Sequence, residues 1–285
     1  MSKLKIAIQK SGRLNEDSLK LLKDCGIKID NGKDQLKVTA RNFPLEVLYL
    51  RNSDIPQYIE DGVVDIAIIG ENILIEKQKK TEVVQKLGFA KCRVSLAVPK
   101  RIESNEVSYF DGKKIATSYP NTLNAYLEQN NIDSEIHVIS GSVEISPNIG
   151  LADGICDIVS SGSTLFKNGL RETQVILRSE AVLAKNLNLD LDKAVVLEKL
   201  LFRIQAVLRA KNTKYVLMNV PNEKIEEVTS ILPVLKSPTI MPLAEEGWSS
   251  LHSVIDEDKF WSSIDELKNA GAEGILVIPI DKMVL

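Results

Sequence analysis

Apolar and polar positions alternate from the first residues, with Leu4, Ile6 and Ile8 set against Lys3 and Lys5, and the pattern predicts a strand over 5–8. A polar, turn-forming stretch follows, Gln9-Lys10-Ser11-Gly12-Arg13, and then a helix begins. The same order returns later: residues 114–117 are predicted as strand, Ser118-Tyr119-Pro120-Asn121-Thr122 as turn, and a helix comes next. Lys5-Ile6-Ala7 with Leu14-Asn15 matches Lys114-Ile115-Ala116 with Leu123-Asn124 at an offset of 109 residues. A second match, at an offset of 92, aligns Asp61-Gly62-Val63-Val64-Asp65-Ile66 through Gly70 with Asp153-Gly154-Ile155-Cys156-Asp157-Ile158 through Gly162. In each copy a helix is expected to end at the first Gly, and a short apolar strand to run on to Gly70 or Gly162.

Strands that alternate with helices imply parallel sheets covered on both faces. Ligands on such sheets sit beyond the carboxyl ends of the strands. Two lobes of this kind place their strand-end loops around a shared cleft. Farther along, residues 175–184 read as one strand returning from the second lobe to the first. A long amphipathic helix is predicted from Leu191 to Lys211, with Val195, Leu197, Leu200, Leu201, Ile204 and Leu208 on its apolar side. After Lys214 the order becomes strand 215–220, helix 223–232, strands 239–243 and 251–255, helix 259–270 and strand 275–280. That βαββαβ order is the ferredoxin-like unit. The expected fold class is α/β: a two-lobe unit of the type II periplasmic-binding-protein-like kind, plus a C-terminal ferredoxin-like domain. Lobe one would take residues 1–90 and 184–213, lobe two 91–183, and the last module 214–285.

Composition narrows the partners. The 285 residues are 44% hydrophobic and carry 36 Lys plus Arg against 39 Asp plus Glu, a net charge of −3, so no global basic field attracts nucleic acid. Any anionic ligand must be held by local groups. No apolar run approaches the ~20 residues of a membrane helix. The N-terminus lacks the continuous apolar stretch of a signal peptide, and unpaired thiols then suggest a cytoplasmic protein. His137, His252, Cys25, Cys92 and Cys156 show neither zinc-ligand nor disulfide-framework spacing. Each cysteine reads as a small buried hydrophobe.

The chemistry concentrates at strand ends. Ser160-Ser161-Gly162-Ser163-Thr164 follows Asp157-Ile158-Val159, and a helix could start near Leu165. A glycine that lets N–H groups approach, hydroxyl donors and a helix N-terminus together make a phosphate cradle. An ordinary polar loop with a Ser or Thr N-cap would look the same. Lys10, Arg13, Arg51, Lys91 and Arg93 lie near other predicted strand ends, either as anion-binding cations or as solvated surface charges. Glu71, Asn72 and Glu144 could bind sugar hydroxyls or magnesium, or simply supply helix first-turn charge. No Ser-His-Asp or Cys-His arrangement is evident. That inventory favours a nucleophile that needs no deprotonation and catalysis by positioning and electrostatics.

Ile8-Gln9-Lys10-Ser11-Gly12-Arg13-Leu14, Asp61 through Asn72, Cys92-Arg93-Val94-Ser95-Leu96, Ile115 through Pro120 and Gly150 through Leu165 resemble the long form of the ATP phosphoribosyltransferase family. The likeness runs into the tail, at Ser237-Pro238-Thr239-Ile240 and Ile278-Pro279-Ile280. It implies condensation of ATP, through adenine N1, with phosphoribosyl pyrophosphate, releasing pyrophosphate, with Mg2+ as cofactor and no assigned metal ligands. By motif, Asp157, Ser160, Ser161, Gly162, Ser163 and Thr164 would hold the 5-phosphate end, with Asp153 or Asp157 on the ribose hydroxyls. Lys10, Gly12, Arg13, Arg51, Glu71 and Arg93 would serve ATP and pyrophosphate. Asn219, Leu235, Thr239 and Gly274 match positions near a feedback site for histidine, with Asn219 where an acidic residue can occur. The resemblance also implies a homo-oligomer, dimer or hexamer, with no separate regulatory subunit.

Two rivals remain open at this point. A two-lobe solute-binding or effector-sensing protein would share the fold without catalysis, but export signal and DNA-binding helices are both missing from the pattern. A catalytically silent paralogue conflicts with the intact segments at 9–13 and 157–164.

Overall fold

The computed structural model describes residues 2–30, 35–232 and 237–284. Contacts divide them into two units, residues 1–23 with 27–197 and residues 24–26 with 198–285.

In the first unit the opening alternation becomes β1 (Leu4–Gln9), followed by α1 (Arg13–Asp24), β2 (Lys37–Thr39), β3 (Leu45–Leu50) and α2 (Ile55–Glu60). Then come β4 (Ile66–Gly70), α3 (Glu71–Lys77) and β5 (Thr81–Lys86). The chain crosses to a second lobe with β6 (Cys92–Pro99), β7 (Lys114–Thr117), α4 (Pro120–Gln129), β8 (Glu135–Val138), β9 (Gly154–Val159), α5 (Ser163–Lys167) and β10 (Leu170–Ser179). It returns with β11 (Ala181–Asn186) and enters α6 (Leu191–Lys211).

Lobe one is built on a six-stranded sheet in the order β2-β3-β1-β4-β11-β5, and lobe two on a five-stranded sheet in the order β10-β6-β9-β7-β8. The central pairs are parallel, β1 with β3 and β4, β7 with β8 and β9. Both sheets are nevertheless mixed rather than wholly parallel. The strands that cross between lobes, β6 and β11, run antiparallel to β9 and β4. Residues such as Ile6, Leu45, Val47, Ile66, Val94, Leu96 and Ile115 are fully buried, each worth about 1.5–3 kcal/mol against exposure.

The run over 175–184 is two strands, not one. Ser179 is paired with Cys92 in the second sheet, and Ala181 with Gly70 in the first, so the chain changes sheets at Glu180. The outgoing connection, residues 87–91, lies beside it, since Ala181 N–H donates to the Phe89 carbonyl at 2.9 Å. Both connections therefore sit at the carboxyl edge of β4.

Helix α3 ties the lobes together next to these connections. The buried Glu76 carboxylate accepts from the N–H groups of Asn121 (3.1 Å) and Thr122 (2.9 Å) and from Thr122 Oγ1 (2.8 Å), so it caps α4 of the other lobe. Buried Asn72 donates to the Tyr119 hydroxyl and exchanges hydrogen bonds with Ser179.

In the second unit, β12 (Thr213–Pro221), α7 (Ile225–Ile231), β13 (Thr239–Pro242), β14 (Trp248–Asp256), α8 (Glu257–Asn269) and β15 (Glu273–Pro279) form an antiparallel sheet in the order β13-β14-β12-β15. That is the ferredoxin-like arrangement. Val216, Met218, Val220, Leu251 and Ile255 pack with Val228, Phe260 and Leu267 of the two helices. In α6 the buried stripe is Val196, Leu197, Leu200 and Ile204, while Val195 is exposed. The helix bounds match the sequence pattern, and Leu197, Leu200 and Ile204 are buried as expected, with Leu201 and Leu208 half-buried; Val195 gives place to its neighbour Val196, since two adjacent valines satisfy the period equally.

Candidate functional site

Strand β9 ends at Val159, and the chain turns through Ser160, Ser161 and Gly162 before α5 begins at Ser163. Gly162 has φ +81°, a left-handed conformation that costs an L-residue about 1–2 kcal/mol. Ser161 Oγ lies 3.1 Å from Ser163 Oγ and accepts the Ser163 N–H at 3.4 Å. The structure gathers Asp157, Ser160, Ser161, Gly162, Ser163 and Thr164 around one pocket and adds Glu144, from the short 3-10 turn Val143–Ile145. The first N–H groups of a helix have no intrahelical acceptor, so this rim presents donors and hydroxyls to an anion.

Asp157 stands at the base of the loop. Burial pushes its carboxyl above the usual range, the neighbouring Glu144 adds to the rise, and hydrogen bonds from Ile158 N–H (2.8 Å) and Ser118 Oγ (3.2 Å) oppose it. Two carboxylates and a row of hydroxyls suit a sugar phosphate better than a bare anion, since the acids can accept from sugar hydroxyls.

Asp153 is not part of this cluster. It precedes β9, and its carboxylate accepts the Lys114 N–H at 2.9 Å while its own N–H donates to the Lys114 carbonyl at 2.8 Å. That places it at the amino end of the strand, about 20 Å from Ser160 at ~3.3 Å per residue. Asp65 makes the same double bridge to Lys5 in lobe one, at 2.7 and 3.0 Å. Pairing confirms the equivalence: Ile6 is opposite Ile66, and Ile115 opposite Gly154. The sequence match at an offset of 92 is therefore four residues out of structural register. Gly154 opens the strand rather than capping a helix, and a Cβ there would lie 2.6 Å from the Phe110 ring, which accounts for the glycine.

In lobe one, Gln9 pairs with Leu50 and the Lys10 N–H donates to the Leu50 carbonyl at 2.8 Å. Lys10 and Arg51 therefore leave neighbouring parallel strands side by side. Gly12, at φ +88°, turns the chain into α1, and Arg13 is its first residue, exposed and 4.0 Å from Asp17. Glu71 is the first residue of α3, just beyond β4; its N–H donates to the Glu180 carbonyl and its carboxylate lies 3.7 Å from Lys86 Nζ. Lys10, Gly12, Arg13, Arg51 and Glu71 thus share the carboxyl edge of the first sheet.

Arg93 differs from these cations. At the start of β6 it faces Val159 across the pairing, and its guanidinium is forked onto Glu172, with Nη1 donating to the Ser160 carbonyl at 3.0 Å. Ser95 Oγ completes the group by donating to Glu172 at 2.6 Å. The Arg93 fork and the Ser95 bond hold the Glu172 carboxyl below the usual range, against partial burial. Sequence pattern gave no sign of Glu172, 79 residues away on a strand with two register shifts.

In the second unit, Asn219 on β12 pairs with Ser250 and Thr239 on β13 with His252, both on β14. The Gly274 backbone lies where a Cβ would be 3.3 Å from Asn219 Nδ2. Asn219, Thr239 and Gly274 thus belong to one sheet, on which His252 bridges Tyr215 and Ser250. Leu235 lies outside the described residues.

The thiols offer no nucleophile: burial pushes Cys25, Cys92 and Cys156 up. Among the described residues no three or more His, Cys, Asp or Glu side chains converge as a metal cage, and no helix is long and apolar enough to cross a membrane.

A profile of the ATP phosphoribosyltransferase family matches residues 51–206, and one for the HisG C-terminal domain matches residues 210–282. ATP phosphoribosyltransferase of Cytophaga hutchinsonii is 59% identical over 281 residues, covering 99% of this chain and 98% of its own. That of Bacteroides thetaiotaomicron is 56% identical over 282 residues, covering 99% and 100%. A chain of the ATP phosphoribosyl transferase (HisG:HisZ) complex from Thermotoga maritima is 30% identical, with a TM-score of 0.61 over 71% of this chain and 98% of that one. Family profiles for both units and full-length relatives agree with the two strand-end loops: the chain belongs to the long-form ATP phosphoribosyltransferases, which catalyse the first step of histidine biosynthesis.

Proposed function

We propose that the two lobes divide the substrates, with phosphoribosyl pyrophosphate seated by its 5-phosphate on the Ser160–Thr164 loop and ATP with the pyrophosphate end on the lobe-one edge. The observation that carries this reading is the pocket in which Glu144, Asp157 and the whole hydroxyl-bearing loop converge. N–H groups and the hydroxyls of Ser160, Ser161, Ser163 and Thr164 accommodate the phosphate, and Asp157 with Glu144 accepts from the ribose hydroxyls. Lys10, Arg13 and Arg51 supply positive charge for the polyphosphates, with Glu71 beside them. Asp153 has no part in it, being committed to Lys114 at the far end of β9.

In the reaction, a lone pair on adenine N1 forms a bond to C1 of the sugar while the bond from C1 to pyrophosphate oxygen breaks and its electron pair leaves with pyrophosphate. No proton must be removed from the nucleophile, which accords with a site that lacks an activated His or Cys. Positive charge grows on the sugar ring and negative charge on the leaving group, so Asp157 and Glu144 sit where the first develops and Lys10, Arg13 and Arg51 serve the second. Asp157 and Glu144 are the two carboxylates that would hold a magnesium ion shared with the substrate, a donor set that fits Mg2+ better as a substrate-bound ion than as one in a protein cage. Bound magnesium supplies charge neutralisation on the leaving group.

The ferredoxin-like module we read as the feedback domain, with histidine near Asn219, Thr239 and Gly274, the whole acting in the cytoplasm as a homo-oligomer, dimer or hexamer, without a separate regulatory subunit. A pyrophosphatase-coupled absorbance assay with ATP, phosphoribosyl pyrophosphate and magnesium should show product. Thr164→Val should raise KM for phosphoribosyl pyrophosphate and leave KM for ATP unchanged. Folded protein without product, or a Thr164→Val effect confined to ATP, would overturn the reading. Thr239→Ala should relieve inhibition by added histidine; undiminished inhibition would move the effector elsewhere.

A further inference from the structure

Arg93 looks in sequence like another cation for pyrophosphate, but all three of its nitrogens already donate within the protein. Nε and Nη2 bond the two oxygens of Glu172, Ser95 Oγ supports that carboxylate, and Nη1 reaches the Ser160 carbonyl. The guanidinium charge is cancelled locally, and what remains is geometry. Ser160 is the first residue after β9, so its carbonyl sets how the loop leaves the strand. A trans peptide is planar, with C=O and the following N–H pointing opposite ways. Holding the Ser160 oxygen on Arg93 therefore aims the Ser161 N–H away from Arg93, on the loop that lines the pocket.

We propose that Arg93 and Glu172, steadied by Ser95, are positioning residues that set the peptide plane between Ser160 and Ser161 and so the donor geometry of the phosphate loop. This rests on the reading of that loop as the phosphoribosyl pyrophosphate site. It opposes the expectation that Arg93 is a direct ligand, and the two differ in sign. If Arg93 is a ligand restrained by Glu172, freeing it with Glu172→Gln should hold or strengthen binding. If the pair positions the loop, Glu172→Gln should weaken it.

The test is calorimetric titration of the full chain with phosphoribosyl pyrophosphate in magnesium, with steady-state KM for both substrates. Glu172→Gln and Arg93→Lys are each expected to weaken phosphoribosyl pyrophosphate about tenfold, the loss expected for a charge-assisted hydrogen bond. KM for ATP should stay within about twofold, and the double variant should be no worse than either single one, as members of one unit behave. Ser95→Ala, a milder change that leaves both charges in place, should cost about two- to threefold. General destabilisation would raise neither KM selectively, so equal effects on both substrates overturn the proposal. Unchanged or tighter binding by Glu172→Gln also overturns it, in favour of Arg93 as a direct ligand. Failure of the wild-type chain to bind phosphoribosyl pyrophosphate would instead overturn the loop reading itself.

Discussion

Ser-Gly ends a strand and starts a helix twice in the first unit, once in each lobe, and the two versions allocate charge in opposite ways. In lobe one Ser11-Gly12 leads into the twelve-residue α1, with Gly12 at φ +88°, and the flanking Lys10 and Arg13 are exposed cations. In lobe two Ser161-Gly162 leads into the five-residue α5, with Gly162 at φ +81°, and the flanking groups are hydroxyls. The arginine that bonds that second loop, Arg93, is neutralised by Glu172. On the proposed division of substrates, one backbone device serves two ligand ends. Exposed positive charge suits polyphosphates whose charge changes during reaction, whereas neutral donors suit a phosphate that is merely held. The proposed division would also let a chain of net charge −3 handle two polyanions.

The most severe break in this comparison should come from Asp157→Asn, with kcat/KM falling about 100-fold as a charged partner of the developing cation is lost. The same variant should be more stable at neutral pH. The native carboxyl is raised by burial, so the folded state holds its proton to a higher pH than the unfolded one. Stability is therefore lost as pH rises from the unfolded to the folded value, and the penalty persists above it; Asp157→Asn removes it. Equal or lower stability of Asp157→Asn, measured by thermal denaturation at pH 7, would contradict this. Glu172 has the opposite sign: its folded pKa is lowered, so its contribution is present above the unfolded value and fades as pH falls through the folded one.

Next in size, Lys10→Ala or Arg13→Ala should cost about tenfold in kcat/KM for ATP and flatten its dependence on ionic strength, because exposed charges act through a screened field. Thr164→Val, by contrast, should cost about fivefold in phosphoribosyl pyrophosphate affinity with the salt dependence intact. Parallel salt slopes for both variants would erase the distinction between the loops. The smallest effect belongs to what they share. Gly12→Ala and Gly162→Ala should each lower stability by about 1 kcal/mol, and unequal losses in denaturant titration would show that the two turns are not built alike.

Much of this was legible from pattern. The strand–turn–helix order around Gln9–Arg13 and Asp157–Thr164, the bounds of α6 and the βαββαβ tail all follow from alternation and helical period. What pattern missed depends on pairing between distant segments. The offset-92 match looked sound because Asp-Gly and Asp-Ile recur, yet hydrogen bonds to Lys5 and Lys114 show Asp153 to be the counterpart of Asp65, a strand brace, not of Asp61. Residues 175–184 are apolar enough to read as one strand, and only their separate partners, Cys92 and Gly70, reveal the change of sheet. Glu172 reaches Arg93 on a strand with two register shifts, a geometry that no periodicity encodes. Glu76 resembles any solvated helix glutamate until α4 is placed against it.

The division of labour between the loops is tested most directly by amide hydrogen exchange of the full chain on adding phosphoribosyl pyrophosphate and magnesium without ATP. Exchange should slow most in the peptide carrying Ser160 to Thr164, with a smaller change over Gln9 to Arg13, where the pyrophosphate end would sit. Protection confined to the lobe-one loop, with Ser160 to Thr164 exchanging as in the free protein, would contradict the account.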